Sequence, residues 1–211
     1  MQTQRRALID RFLLEAVPLM KGDVLDIGGK KQRRRGNFTV PLSSVSSWRF
    51  LNTDASTNPD FCCDAGRIPV ENGSFDTALM CEVIEHLENP DNTIKEAFRV
   101  LKDNGIFIIT APFLFPYHAD PHDFQRYTHV KLKSMLEGAG FRDIEITSMG
   151  GAGSVIHDIL FAALGKVDEG YLKTIGYSAL RISRLLFIFM DRVFKSSERF
   201  ITTGYFIVAK K

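Results

Sequence analysis

Phe75-Asp76-Thr77-Ala78-Leu79-Met80-Cys81-Glu82 is an apolar run that closes on an acid, and the pattern recurs along the chain. Trp48 to Thr53 leads into Asp54, Phe61-Cys62-Cys63 leads into Asp64, and Asp23-Val24-Leu25-Asp26-Ile27 leads into Gly28 and Gly29. Short apolar runs bounded by turn residues read as strands. Helical spacing surrounds them: Gln4 to Met20 with Leu8, Phe12, Leu13 and Ala16 in phase, Asn92 to Leu101 closed by Asn104-Gly105, and Val130 to Ala139 with Gly140 just past it. Ile106 to Thr110 is almost unbroken apolar sequence, as suits a strand buried on both faces of a parallel sheet. Later strands are expected around Phe141 to Ile146 and from Thr203 to Ala209. Strands alternating with helices predict an α/β fold built on a doubly wound, mostly parallel sheet.

The chain has 211 residues, 45% of them hydrophobic, enough for the core of one domain spanning residues 1–211. Residues 151–195 are apolar and helical and read as an embellishment within it, while Lys30 to Ser47 shows no period and reads as a long functional loop with at most a short helix. A formal net charge of +2 argues against nucleic acid across the whole surface, although Lys30, Lys31, Arg33, Arg34 and Arg35 form a basic run. That run is either a solvated loop or a holder of phosphate on an acceptor. Cys62, Cys63 and Cys81 lack the spacing of a structural zinc site and read as reduced core residues. The polar start, with Arg5, Arg6 and Arg11, does not resemble a secretory signal, so a cytoplasmic location is expected. Leu185 to Met190 is too short to span a bilayer. Phe187, Phe189 and Met190, set among Arg181, Arg184, Arg192 and Lys195, read as core, as a homodimer contact or as a peripheral membrane contact.

In open α/β sheets ligands settle at the carboxyl ends of the strands, where a glycine turn lets backbone approach them. Gly28 and Gly29 stand at such a turn. Asp26 discriminates between ligands: a carboxylate there repels a pyrophosphate but attracts the ammonium of an amino-acid ligand, which favours S-adenosylmethionine over a dinucleotide. A plain capping turn is the alternative. Asp54 is placed to take two ribose hydroxyls, and Asp64, followed by Ala65, to take the adenine amine, with Ile68 and Pro69 walling the ring. Singly, such acids are turn residues; at successive strand ends they suggest one ligand edge.

The stretch Phe75 to Leu87, with Val24 to Gly29, Phe98-Arg99-Val100-Leu101-Lys102 and Gly138-Ala139-Gly140-Phe141, resembles the class I S-adenosylmethionine-dependent methyltransferases of the type-11 group, from about Gly22 to Met149. The resemblance implies a seven-stranded Rossmann-like sheet with extra C-terminal helices, S-adenosylmethionine as cofactor, Cys81 and Glu82 along its methionine part, and Glu85-His86 opening the next turn, where His86 would face substrate. Lys30 and Lys31 stand where that family often has a third glycine, and its usual following helix is not evident.

The stretch Pro112 to Thr128 is dense in His, Asp, Arg and Tyr, and is similar to a His-x-x-Pro-x-Asp-x-x-Arg-Tyr-Thr segment of type-11 members associated with glycan and cell-surface polysaccharide synthesis. This implies a small-molecule or lipid-linked sugar acceptor, held by Asp120, Arg126 and Tyr127, although Arg126 and Tyr127 can equally pack the loop. For a hydroxyl acceptor, His118 or His122, tuned by Asp120 or Asp123, would be the general base. A metal on His118, Asp120 and His122 is disfavoured by the prolines and the lack of an i,i+4 pair, so none is expected. Two other readings stand beside this one: a non-catalytic cofactor-binding module of a glycan-assembly complex, and an RNA methyltransferase using Lys30 to Arg35, which would bind RNA in a salt-dependent way.

Overall fold

The structure, a computed structural model, describes residues 2–30, 34–35, 37–39, 44–119, 121–195 and 200–211. Lys31, Arg33 and Asp120, which the sequence singles out, lie outside them, as do the side chains of Arg34 and Arg35. In chain order the main elements are α1 (Gln4–Glu15), β1 (Gly22–Ile27), β2 (Arg34–Arg35), β3 (Phe38–Thr39), β4 (Val45–Asn52), β5 (Phe61–Cys62), β6 (Phe75–Cys81), α2 (Pro90–Val100), β7 (Leu101–Pro112), α3 (His129–Ala139), β8 (Arg142–Met149), α4 (Ala152–Gly165), α5 (Tyr171–Val193) and β9 (Gly204–Lys210).

Seven strands form one sheet in the order β5-β4-β1-β6-β7-β9-β8. The neighbours from β5 to β7 pair in parallel, and β9 runs antiparallel to both β7 and β8. The order reverses between β1 and β6, so the carboxyl ends of β5, β4, β1, β6 and β7 share one edge with a crevice at the switch point. A seven-stranded, mostly parallel Rossmann-like sheet is what the family resemblance implies.

Alternation along the strands divides the core in two. Leu25 and Ile27 of β1 with Ala78 and Met80 of β6 point to the side covered by α2 and α3, joining Ile94, Ala97, Leu132 and Leu136. Val24, Leu79 and Cys81 point the other way, to Ile9 and Leu13 of α1. Each fully buried aliphatic chain contributes about 1.5–3 kcal/mol, so a one-residue slip that exchanged the faces would cost far more than a backbone hydrogen bond.

Two expectations are corrected. The segment after β1, expected as a long loop with at most a short helix, carries the short antiparallel β2-β3 pair, with Phe38 buried beside Trp48 and Phe50 on the α1 side. Cys62 is exposed rather than core, since β5 is a two-residue edge strand, and none of the three cysteines is in a disulfide. The C-terminal helices pack chiefly on each other, and Leu180 is the buried residue of α5. No described helix is long and apolar enough to cross a membrane.

Helix α1 is fixed at its start by a distant acid. Fully buried Asp158 of α4 accepts from the backbone N–H groups of Gln4 (2.6 Å) and Arg5 (2.8 Å), and His157 Nδ1 lies 2.9 Å from the same carboxylate. A carboxylate on otherwise orphaned N–H groups at the positive end of a helix is well placed. It also sets the position of Arg5, whose side chain reaches the ligand edge.

Candidate active site

Asp26, 2% exposed near the end of β1, receives a 3.3 Å hydrogen bond from Trp48 Nε1. The turn beyond it is built for glycine. Gly28 has φ +74°, and a Cβ there would lie 2.4 Å from a Val83 methyl carbon. A Cβ on Gly29 would lie 2.5 Å from the Asp26 carboxyl carbon. Asn52 Nδ2 donates to the carbonyls of Gly29 (3.1 Å) and Gly28 (3.4 Å), while Gly28 N–H donates to Leu51 O (2.7 Å), so the turn is clamped to the end of β4. The Asn52 clamp was not foreseen.

Asp54 and Asp64 are exposed and organise their own turns. Asp54 accepts from Ser56 N–H at 2.9 Å and caps a short 3-10 turn, and the Ser56 hydroxyl, followed by that N–H, holds its carboxyl below the usual range. Asp64 accepts from Gly66 N–H at 2.6 Å, with Ala65 and Ile68 buried beside it and Pro69 exposed. Both acids sit at the carboxyl edge, each already bonded within its own turn. Cys81 faces the α1 side of the core, which leaves its backbone at the edge.

Glu82 has φ +53°, an uncommon conformation for a non-glycine residue. Buried Arg5 holds it with Nε to Oε2 at 2.8 Å and Nη2 to Oε1 at 2.5 Å, and Thr110 Oγ1 donates to Oε1 at 2.8 Å. Burial acts to raise its pKa, but the charge and hydrogen bonds of Arg5 prevail and hold it below the usual carboxylate range. Arg5 escaped sequence reasoning because it lies 77 positions away on another element.

Three residues past Glu82, Glu85 is fully buried, and neither carboxylate oxygen has a hydrogen-bond partner among the described residues. His118 Nε2 lies 3.5 Å and His86 Nε2 3.7 Å from Glu85 Oε1. Burial pushes the Glu85 carboxyl up against the opposing pull of His118, and the contact with Glu85 raises His118. His86 comes from the short 3-10 turn Ile84–His86 after β6 and His118 from the loop after β7. Glu85 and His86 were legible as a pair at a turn; the burial of Glu85 was not.

The loop after β7 is braced from within. Asp123 is bonded by both terminal nitrogens of Arg126, one at 2.7 Å, and accepts from His118 N–H at 2.9 Å. Arg126, outweighing the effect of burial, lowers its pKa to about 2. Phe124 N–H donates to Glu85 O at 2.9 Å, tying the loop to the end of β6. Tyr127 belongs to the core, and burial raises its phenol. The exposed His122 ring packs against Phe124, centroids 5.4 Å apart, and only its carbonyl reaches the cluster. Of the two histidines proposed as base, His118 alone is brought to the buried carboxylate.

Residues 42–109 match the Methyltransf_11 family, a methyltransferase domain. A probable S-adenosylmethionine-dependent methyltransferase from Mycolicibacterium smegmatis is 29% identical over 80 residues, 35% of this chain and 31% of that protein's length. The chain thus spans about a third of that curated relative. Among solved structures, a SAM-dependent methyltransferase from Archaeoglobus fulgidus superposes with TM-score 0.59 at 19% identity, covering 98% of this chain and 94% of the other. Phosphoethanolamine N-methyltransferase 2 from Haemonchus contortus, in complex with S-adenosylhomocysteine, gives 0.56 at 18% identity over 99% of this chain and 52% of its own. The cyclase SpnF gives 0.56 at 20% identity over 96% and 79%.

Proposed function

We propose that this chain is a class I methyltransferase that carries the methyl group of S-adenosylmethionine to an oxygen of a sugar-containing acceptor, a reading supported by the matching domain and the shared fold. The observation that carries the reading is buried Asp26 behind a turn that admits only glycine, at the switch point of the sheet and beside the strand that ends in Glu82. These residues fit the cofactor: the Asp26 carboxylate suits an ammonium, the missing Cβ atoms leave room for close approach, and Asp54 and Asp64 are acceptors for ribose and adenine donors. Bound there, the cofactor supplies a sulfonium methyl carbon. As the acceptor oxygen attacks, the new C–O bond forms, the C–S electron pair stays on sulfur, and the hydroxyl proton leaves.

The chain's own residues align and deprotonate. Arg5 fixes Glu82 at the end of β6, while Asp123 and Arg126 hold the loop that carries His118. The proton leaves toward the Glu85, His86 and His118 cluster. An amine acceptor would need no proton acceptor at the moment of attack, so a buried carboxylate with two imidazoles supports a hydroxyl. The resemblance of the His118 to Thr128 segment supports a sugar.

Calorimetric titration of the full chain with S-adenosylhomocysteine tests the first half: one equivalent should bind, and a folded protein giving no heat overturns the reading. Incubation with sugar and amine acceptors, followed by mass spectrometry, tests the second. A product heavier by one CH2 unit on sugars supports it, whereas methylation confined to amines overturns the oxygen assignment.

The membrane contact stands on an exposed stripe of α5, Ile182, Leu185, Leu186, Phe189 and Val193, flanked by exposed Arg181, Arg192 and Lys195. We propose that it rests on an anionic lipid surface, which suits a lipid-linked acceptor. Flotation with vesicles containing phosphatidylglycerol should carry the protein and fail after Leu185→Asp with Phe189→Asp. A dimer in light scattering that the same pair of changes dissolves, without flotation, reassigns the stripe to a second copy.

A further inference from the structure

We infer that Glu85, His86 and His118 form a binding site for one divalent transition-metal ion beside the acceptor position, a site distinct from the histidine-aspartate set that the loop sequence suggests. Among the described residues this is the group whose ligand atoms converge: one oxygen and two imidazole nitrogens within 4.8 Å of one another. Ligand atoms each about 2.1 Å from a four-coordinate ion stand about 3.4 Å apart. The Glu85 oxygen lies 3.5 Å from His118 Nε2 and 3.7 Å from His86 Nε2, so small side-chain shifts suffice.

The rings are already oriented for coordination. His86 Nδ1 lies 2.5 Å from the carbonyl oxygen of His122, and His118 Nδ1 lies 3.1 Å from that of Pro116. A carbonyl only accepts, so each Nδ1 carries a proton, which leaves Nε2 as the atom each ring turns toward Glu85 and can offer to an ion. Backbone carbonyls behind ligating imidazoles are the usual means of fixing that tautomer. The carboxylate oxygens have no donor of their own, although they are removed from water. A carboxylate removed from water is stabilised by a cation beside it, and the two ring nitrogens turned toward Glu85 complete the ligand set.

Two imidazoles and a carboxylate suit zinc, cobalt, iron or manganese rather than calcium. Glu82 is not among the ligands, because Arg5 and Thr110 already occupy its oxygens. Three protein ligands leave at least one position for an outside oxygen. Resting on the methyltransferase reading, we assign that position to the acceptor hydroxyl, which the ion would hold and acidify; with the ion bound, the hydroxyl proton leaves to bulk water, and the cluster takes it only in the metal-free protein.

Chelator-treated full-length protein titrated with Co2+ should develop visible d–d absorption that saturates at one equivalent, and Zn2+ should displace it. Glu85→Gln and His118→Ala should each weaken binding by about 10–100-fold, with circular dichroism unchanged, while His129→Ala should retain the full spectrum. A wild-type protein with no saturable binding of Co2+ or Zn2+ overturns the site, as does an undiminished equivalent in both Glu85→Gln and His118→Ala. If either variant fails to fold, His86→Asn gives the same reading. Titration with S-adenosylhomocysteine separates the two ideas: metal bound without the nucleoside supports this site and overturns the methyltransferase reading, and the converse does the opposite.

Discussion

The ligand edge has two halves that use carboxylates differently. Past β4 and β5, Asp54 and Asp64 are exposed and bonded to N–H groups two residues onward, so each is held by its own turn. Past β6 the acids meet residues from other elements: Glu82 is held by Arg5, and buried Glu85 lies beside His118 as well as its neighbour His86. The first half is a row of local, wet acceptors suited to reversible grip of a nucleoside. The second is a desolvated cluster in which charges act strongly because little water screens them.

The comparison is broken most directly at Arg5. Arg5→Ala leaves Glu82 without its buried cation and should cost about 3–5 kcal/mol in urea unfolding; a variant as stable as wild type would show that the second half is no more tightly built than the first. Asp26→Asn keeps shape and removes charge, and should weaken S-adenosylhomocysteine binding by about 10–100-fold, the worth of a charge-assisted hydrogen bond, with little change in stability. Calorimetry reads this, and unchanged affinity would remove Asp26 from the site.

Asp54→Asn sharpens the contrast, since asparagine also caps a turn. It should reduce cofactor affinity by about fivefold without altering the melting temperature, because only the second carboxylate oxygen's acceptance is lost. A large drop in melting temperature would mean that capping is the residue's whole role. The smallest effect is expected at His122, whose ring touches Phe124: His122→Ala should keep methyl transfer within about threefold of wild type, whereas His118→Ala should lose about 100-fold or more. Equal losses in acceptor turnover would return His122 to the reacting centre.

These differences track how much of the molecule was legible beforehand. The strands ending at Ile27 and Cys81 could be read because burial on both faces leaves nearly unbroken apolar runs, and the acids along the edge because glycine and turn residues mark the strand ends. The β2-β3 pair was not legible, since Phe38 reveals its burial only when the α1 side of the sheet is assembled. Cys62 looked like core because its apolar neighbours did, whereas a two-residue edge strand leaves one side open to water.

By itself the sequence determined the element order, the parallel sheet and the Asp26, Gly28 and Gly29 turn, all matters of local periodicity and backbone freedom. Only the tertiary structure decided that Arg5 grips Glu82, that Glu85 is dry, and that His118 rather than His122 meets it. Burial and pairing depend on which distant segments pack together, and no local spacing of residues encodes that.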